Sequence, residues 1–243
     1  MDNNKDTAYA SEGPKFMGSY ATRHFFYDVD PKLAKKYNEN YKGDLQMVIF
    51  LIVIAIITGS LSVWLFSLGG IWRIILGIVT SLISIAAIGI AIIGIKRAAT
   101  PTALLKRGAL NSGIIAKIDS EGIGILVLAE TTAESEVHWG LCSIRVKDLP
   151  PVHERKIGER IPVTCTYGST SNEGYYISVG PSLIAWGTNS KEVIQQAIDA
   201  IDEVEWDALE QCIDRYDFKT EYSDFEKLKQ LTFEELVNLK LIY

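Results

Sequence analysis

"MVIFLIVIAIITGSLSVWLF", from Met47 to Phe66, and "IWRIILGIVTSLISIAAIGIAIIGI", from Ile71 to Ile95, decide how this 243-residue chain is read. Between Leu45 and Ile95 the single ionisable side chain is Arg73. A helix crosses the hydrocarbon core of a bilayer with roughly 20 apolar residues, and each stretch supplies them. A core helix of a soluble protein keeps a polar face, and neither stretch has one. Two membrane spans are therefore expected, joined at Ser67-Leu68-Gly69-Gly70. A signal peptide opens on a short basic segment close to the chain start. Here residues 1–45 come first, so the hairpin over 46–96 is expected to stay in the mature protein.

The flanks set an orientation. Lys32, Lys35, Lys36 and Lys42 precede the first span, and Lys96, Arg97, Lys106 and Arg107 follow the second. Basic residues accumulate on the cytoplasmic side, so both termini are expected in the cytoplasm. Lys96, Arg97, Lys106 and Arg107 form a collar suited to a bilayer with anionic headgroups, each charge contributing roughly 1 kcal/mol near the surface. Trp64 and Trp72 flank the short outer connection, where indoles favour the membrane–water boundary. Packing of the two tryptophans between the helices is the alternative.

Ala55 and Gly59 lie four apart in the first span, as do Gly77 and Ser81 in the second. Small residues at this spacing allow close helix approach where lipid offers no hydrophobic drive. The spans are expected to pack on each other, with a homo-oligomer through the same faces as the alternative. Thr58, Ser60, Ser62, Thr80, Ser81 and Ser84 are uncharged and can bond to their own helix backbone. Ionisable residues inside the membrane mark transport paths, so a multimeric pore is the weaker reading.

On the amino-terminal side, residues 1–22 lack a sustained apolar period and read as disordered. Residues 23–45 read as a juxtamembrane helix: Asp30 is a side-chain N-cap and Pro31 sits where no donor is needed. Leu33, Tyr37 and Tyr41 recur along it, while Phe25, Phe26 and Tyr27 face either lipid or the following domain. Residues 97–107 read as a basic linker, with Pro101 as a helix stop.

From residue 108 the pattern changes to strand and turn. "SGIIAKID", "IGILVLAE", "VHWGLCSIRV", "IGERIPVTCTYG" and "EGYYISVG" follow one another with turn signals between them. The second is apolar enough to be buried on both faces, and Gly140 in the third suggests a bulge. Short strands at this spacing point to a small five-stranded antiparallel β-barrel of OB or SH3-like type over 108–188. The fold class is thus a membrane α-helical hairpin plus an α+β domain. An acidic tail of short amphipathic helices is expected over 189–243. Ile194, Ala197, Ile198 and Ile201 share one face, then Trp206, Leu209, Ile213 and Tyr216; Ser223–Glu226 and Thr232–Glu235 read as further helix starts.

Between barrel and tail stands "IAWGT", Ile184 to Thr188. Gly180-Pro181 is expected to end the last strand, and Asn189 with Glu192 to cap the next helix. Trp186 would bury a large surface between barrel and helices, and Gly187 would take a positive φ. With Thr188 as its only nucleophile, the segment reads as a structural joint rather than an active-site loop.

Net charge is −6 overall and −11 over residues 108–243, which argues against a nucleic-acid partner. No glycine-rich loop is followed by Lys-Ser or Lys-Thr at phosphate-binding spacing. Cys142, Cys165 and Cys212 lack a local catalytic or metal signature and read as buried apolar residues. His138 and Cys142 have no second ligand pair. No metal or cofactor is expected, and no enzymatic activity.

"FFYDVDPKLAKKYNENYKGD" at Phe25 to Asp44, "PSLIAWGT" at Pro181 to Thr188 and "EWDALE" at Glu205 to Glu210 resemble an actinobacterial family of two-span membrane proteins of unknown function, found mainly in corynebacteria. The similarity covers most of residues 25–230 and implies the same division into domains in a bacterial plasma membrane. It implies no activity, ligand or catalytic residue. The expected role is a membrane-anchored adaptor whose cytoplasmic domain binds a protein partner. The alternatives are a small-molecule accessory subunit or weak enzyme, with a pocket lined by Trp139, Trp186 and Tyr176, and the pore.

Overall fold

The computed structural model describes residues 9–12, 23–98, 102–134, 136–213 and 228–242. Pro101, Tyr216 and the helix start at Ser223–Glu226 lie outside them. The chain divides into two compact units, Glu39–Pro101 and a second one made of Met1–Asn38 together with Thr102–Tyr243.

The first unit is a helical hairpin. Helix α2 runs Glu39–Ser67 and helix α3 runs Ile71–Ala98. Both exceed the apolar stretches and are long and apolar enough to cross a membrane. Gly69 and Gly70 turn the chain with φ of 63° and 89°, a region that glycine enters without a side-chain penalty. Upstream, α1 (Pro31–Tyr37) begins as expected, with the Asp30 carboxylate accepting from the Lys32 amide at 2.7 Å. It stops at Asn38, so Tyr41 belongs to α2 and not to a continuous juxtamembrane helix.

The second unit is built on an antiparallel sheet. Its strands are β1 (Tyr9–Glu12), β2 (Arg23–Phe26), β3 (Ala109–Asp119), β4 (Gly122–Glu130), β5 (Trp139–Val146), β6 (Val163–Tyr167), β7 (Val179–Leu183) and β8 (Lys229–Gln230). The order is β1-β2-β3-β4-β5-β8, with β6 also on β3 and β7 on β6. The eleven-residue β3 serves both halves: Ala109 to Asn111 pair with β6, and Ser112 to Asp119 pair with β4. The expected barrel is not formed. The β6–β7 side meets the end of β4 at the single bridge Thr132↔Tyr175 rather than along a ladder, so the sheet stays open.

Three expectations change with the strand positions. The last strand is Val179–Leu183, with Gly180 and Pro181 inside it; β7 pairs with β6 alone, and an edge strand tolerates a residue without an amide proton. Gly140 makes no bulge, because β5 keeps a regular register with β4 from end to end. A Cβ there would lie 2.6 Å from Leu228 Cδ1, so the glycine admits the chain that becomes β8. The register shift lies instead in β3, between Ile115 and Lys117. Finally, Tyr9–Glu12 and Arg23–Phe26 are strands, so residues 1–22 are not disordered throughout and residues 23–26 are not helical. Residues 1–8 and 13–22 lie outside the described structure.

Strand β4 is buried along its whole length, as its composition requires. On one face Leu126 and Leu128 join Leu110, Ile114, Trp139 and Leu141. Helices α5 (Lys191–Asp199), α6 (Glu203–Cys212) and α7 (Phe233–Asn238) cover that face with Ile194, Trp206, Leu209 and Leu236, joined by Ile201 between α5 and α6 and Leu239 just after α7. On the other face Ile123, Ile125 and Val127 meet Val163, Leu183 and Trp186. Residues 189–243 are therefore no separate tail: their described helices are one wall of the core. The boundary expected at 188/189 is absent for that reason, and Thr232–Glu235 is a full capping box at the start of α7.

Candidate functional site

In the hairpin, the small residues sit where the helices touch. Ala55 is 7% exposed, and Ser84 Oγ donates to its carbonyl oxygen at 2.8 Å. A Cβ on Gly59 would lie 3.2 Å from Ser84 Oγ, and one on Gly77 2.8 Å from the Phe66 ring. Ser62 Oγ donates to the Gly77 carbonyl oxygen at 2.8 Å and lies 2.6 Å from Ser81 Oγ. Thr58 and Thr80 do bond to their own helix, through the carbonyls of Ile54 and Leu76. Ser62 and Ser84 do not: they bridge to the other helix, because the small residues opposite leave the backbone oxygens within reach. Trp64 and Trp72 point outward, 56% and 76% exposed, and are not packed between the helices.

Interhelical side-chain bonds in membranes contribute about 0.6 kcal/mol each. The double variant Ser62→Ala/Ser84→Ala is therefore expected to lower hairpin stability by about 1 kcal/mol without changing its helicity. Thr58→Ala/Thr80→Ala serves as the neutral control, and steric trapping or detergent unfolding would measure both.

The "IAWGT" segment is a short 3-10 turn, Ile184–Trp186, closed by Gly187. Trp186 is fully buried and belongs to the cluster that contains Val29, Ala34 of α1 and Leu105 of α4 (Ala103–Arg107), not to the one that the carboxy-terminal helices join. Gly187 has φ −105°, so positive φ is not its reason. A Cβ there would lie 2.8 Å from Tyr27 Oη, 2.9 Å from Val29 Cγ1 and 3.2 Å from Leu105 Cδ1. The Asp30 amide also donates to the Gly187 carbonyl oxygen at 2.8 Å, and Tyr27 Oη donates to that of Ile184 at 3.2 Å. Glycine is thus required by the close approach of the segment that precedes α1. Gly187→Ala is expected to destabilise the domain by about 1–3 kcal/mol through overpacking, measurable as a lower denaturant midpoint at unchanged slope. Asn189 is exposed and caps nothing; Ser190 accepts from the Val193 amide at 3.3 Å.

One polar constellation was not legible beforehand. Arg23 on β2 reaches Glu205 on α6 with two bonds, Nη1–Oε1 at 2.9 Å and Nη2–Oε2 at 3.1 Å. Arg23 also donates to the Leu110 carbonyl oxygen from Nε and Nη2. Both side chains are buried, Glu205 at 2% exposure. Burial pushes the Glu205 carboxyl above its ordinary range, and the Arg23 charge pulls it back down. The carboxylates of α6 are thus only partly a solvated face: Arg160 holds Glu203 at 3.0 Å and Glu210 at 3.5 Å while lying over the Trp206 ring.

The pocket imagined between Trp139, Trp186 and Tyr176 is not assembled. The two tryptophans are buried in separate clusters on opposite faces of the sheet, and the Tyr176 ring stacks on Tyr167 at 4.8 Å. Cys142, Cys165 and Cys212 are free and buried, and burial raises the Cys142 thiol to about 12. Among the described residues no group of three His, Cys, Asp or Glu could hold a metal. Lys96, Lys106 and Arg107 are exposed. Arg97 lies on α3, and its side chain is outside the described structure.

Residues 96–217 match the family described as "Protein of unknown function (DUF3239)". A solved structure described as a "putative membrane protein from Corynebacterium diphtheriae" is similar at 25% identity, over 50% of this chain and 99% of its own, with a TM-score of 0.44. No curated protein matches the chain.

Proposed function

We propose that this chain, which belongs to the DUF3239 family of proteins of unknown function, is a membrane-anchored, non-catalytic binding module that presents one sheet-and-helix domain at the cytoplasmic face. One observation carries it: the domain is woven from chain on both sides of the hairpin. Strand β2 pairs with β3 at His24↔Ala109, Arg23 is bonded to Glu205, and the Asp30 amide to Gly187. Segments that share one core must lie on one side of the bilayer. The two helices are then an insertion that crosses and returns, with three residues between them. The basic flanks favour the cytoplasmic side.

Several described ion pairs are structural ties between elements, which supports binding rather than chemistry as the domain's role. Arg23–Glu205 joins β2 to α6, and Arg145 closes the β3–β4 turn through Asp119 and Glu121. Ser62, Ser81 and Ser84 are spent on the hairpin's internal interface, which disfavours a pore.

The test is a cross-linked pull-down from native membranes with the full chain, beside the hairpin alone as control. A protein recovered at near-equal abundance with the full chain and absent from the control supports an adaptor. Recovery of nothing but the chain itself, in repeated preparations, contradicts it.

A further inference from the structure

We propose that α1 and α4 form a single platform for anionic lipid headgroups, with the Ile184–Gly187 segment as the keystone that holds them together. This rests on the membrane anchoring proposed above. Lys32, Lys35 and Lys36 are exposed on α1, while Ala34 between them is fully buried. Lys106 and Arg107 are exposed on α4, while Leu105 before them is fully buried. Ala34 and Leu105 belong to the same cluster around Trp186. Each helix therefore turns an apolar side to one anchor point and leaves its basic side to solvent.

Chain connectivity supplies the occupant. Helix α1 ends at Tyr37, and the apolar stretch of the first span begins at Leu45, within helix from Glu39 onward. At ~1.5 Å per helical residue that is about 12 Å of chain. Ile95 and Ala103 are likewise only eight positions apart. Both basic helices are thus tethered within reach of the headgroup layer of the same leaflet. The acidic groups on these segments are Asp28, Asp30, Glu39 and Asp44, and the Asp30 carboxylate is engaged as the N-cap of α1. Basic charge dominates the platform, in a domain that is otherwise acidic. A negatively charged lipid surface fits this sign, and it explains why the domain's keystone joins two short helices that carry no other described function. The platform would fix the domain against the bilayer and so orient its remaining faces toward a partner.

The test uses the full-length protein in lipid nanodiscs of phosphatidylcholine alone or with phosphatidylglycerol added, read by amide hydrogen exchange. Exchange over 31–37 and 103–107 is expected to slow by about fivefold or more in the anionic discs, the scale set by one basic residue near a charged surface. High salt should reverse the effect. The variant Lys32→Gln/Lys35→Gln/Lys36→Gln/Lys106→Gln/Arg107→Gln should lose it, while its core amides in β4 keep wild-type exchange. The corresponding Lys→Arg variant should retain it. Lys42, Lys96 and Arg97 are left in place to preserve orientation, which impermeant labelling checks separately, so a failed anchor and a failed platform are told apart. Equal exchange in both discs overturns the proposal, as does slowing that survives in the Gln variant. Slowing reproduced by inorganic phosphate in phosphatidylcholine discs also overturns it, because the site would then be for free anions.

Discussion

A chain stopped after Thr188 is expected to lose the folded domain altogether, not merely a binding tail. The stop removes α5, α6, β8 and α7, and with them Ile194, Ile201, Trp206, Leu209, Leu236 and Leu239 from one core cluster. Full burial of such a side chain contributes about 1.5–3 kcal/mol. Their sum, roughly 10 kcal/mol or more, matches or exceeds the whole stability of a typical domain, about 5–15 kcal/mol. The same stop uncovers Leu126, Leu128 and Trp139 and leaves Arg23 buried without Glu205. Limited proteolysis and near-ultraviolet circular dichroism of the two proteins would measure this. Rapid degradation from residue 102 onward and loss of the aromatic signal are expected. A protease-resistant core over 108–188 would show that the sheet stands without its helices.

The second large effect concerns the buried ion pair. Arg23→Met is expected to destabilise the domain by about 3–5 kcal/mol at neutral pH, because it strands a buried carboxylate. Replacing both partners, Arg23→Met/Glu205→Leu, should cost much less, since no charge is left to desolvate. The pH dependence has a definite sign. Burial already raises the Glu205 carboxyl, and loss of Arg23 removes the main charge that pulls it down. In Arg23→Met the folded carboxyl therefore takes up its proton above the pH at which the unfolded one does. Stability of the variant is fully retained below the unfolded value and is lost as pH rises through the folded one. Its deficit relative to wild type should be smallest near pH 5 and grow toward pH 8, in urea titrations at each pH. A deficit that is flat with pH, or a double variant as weak as the single one, would mean that the pair is not held as described.

Much of the architecture was readable in the sequence because it rests on local rules. The apolar runs after Leu45, the Asp30-Pro31 start and the Thr232–Glu235 cap each follow from a few neighbouring residues. Of the six strands described after residue 108, four were legible in place, the fifth was expected too early at 173–180, and β8 was not foreseen; nor was the sheet's open form. Whether β7 zips onto β4 depends on long-range register, and periodicity does not encode it. Pro181 misled because a proline's tolerance depends on whether its strand lies at an edge. Gly187 misled in its cause: its special role was visible, but the crowding from Tyr27, Val29 and Leu105 comes from residues far away in the chain.

The buried pair was invisible for a similar reason. Glu205 stands among Glu203, Asp207 and Glu210 and looks like part of a solvated face. A hint lay in its neighbour Trp206, since burial of that indole draws the flanking residues toward the sheet. Arg23 offered less, standing in a segment whose two short strands carry too few residues for a period to show. Ser62 and Ser84 could be told from Thr58 and Thr80 only once the helices were paired, because each hydroxyl has an acceptor on its own helix as well.

On the reading proposed above, the hairpin is an insertion in one domain that faces the cytoplasm. Single cysteines at Asp28, Leu68 and Lys191, all exposed positions, test this with a membrane-impermeant maleimide; Cys142, Cys165 and Cys212 are buried and give little background. Labelling of Leu68→Cys on intact cells, and of Asp28→Cys and Lys191→Cys only after permeabilisation, is the predicted result. Different behaviour of Asp28→Cys and Lys191→Cys would contradict the shared domain, and labelling of both on intact cells would reverse its side of the membrane.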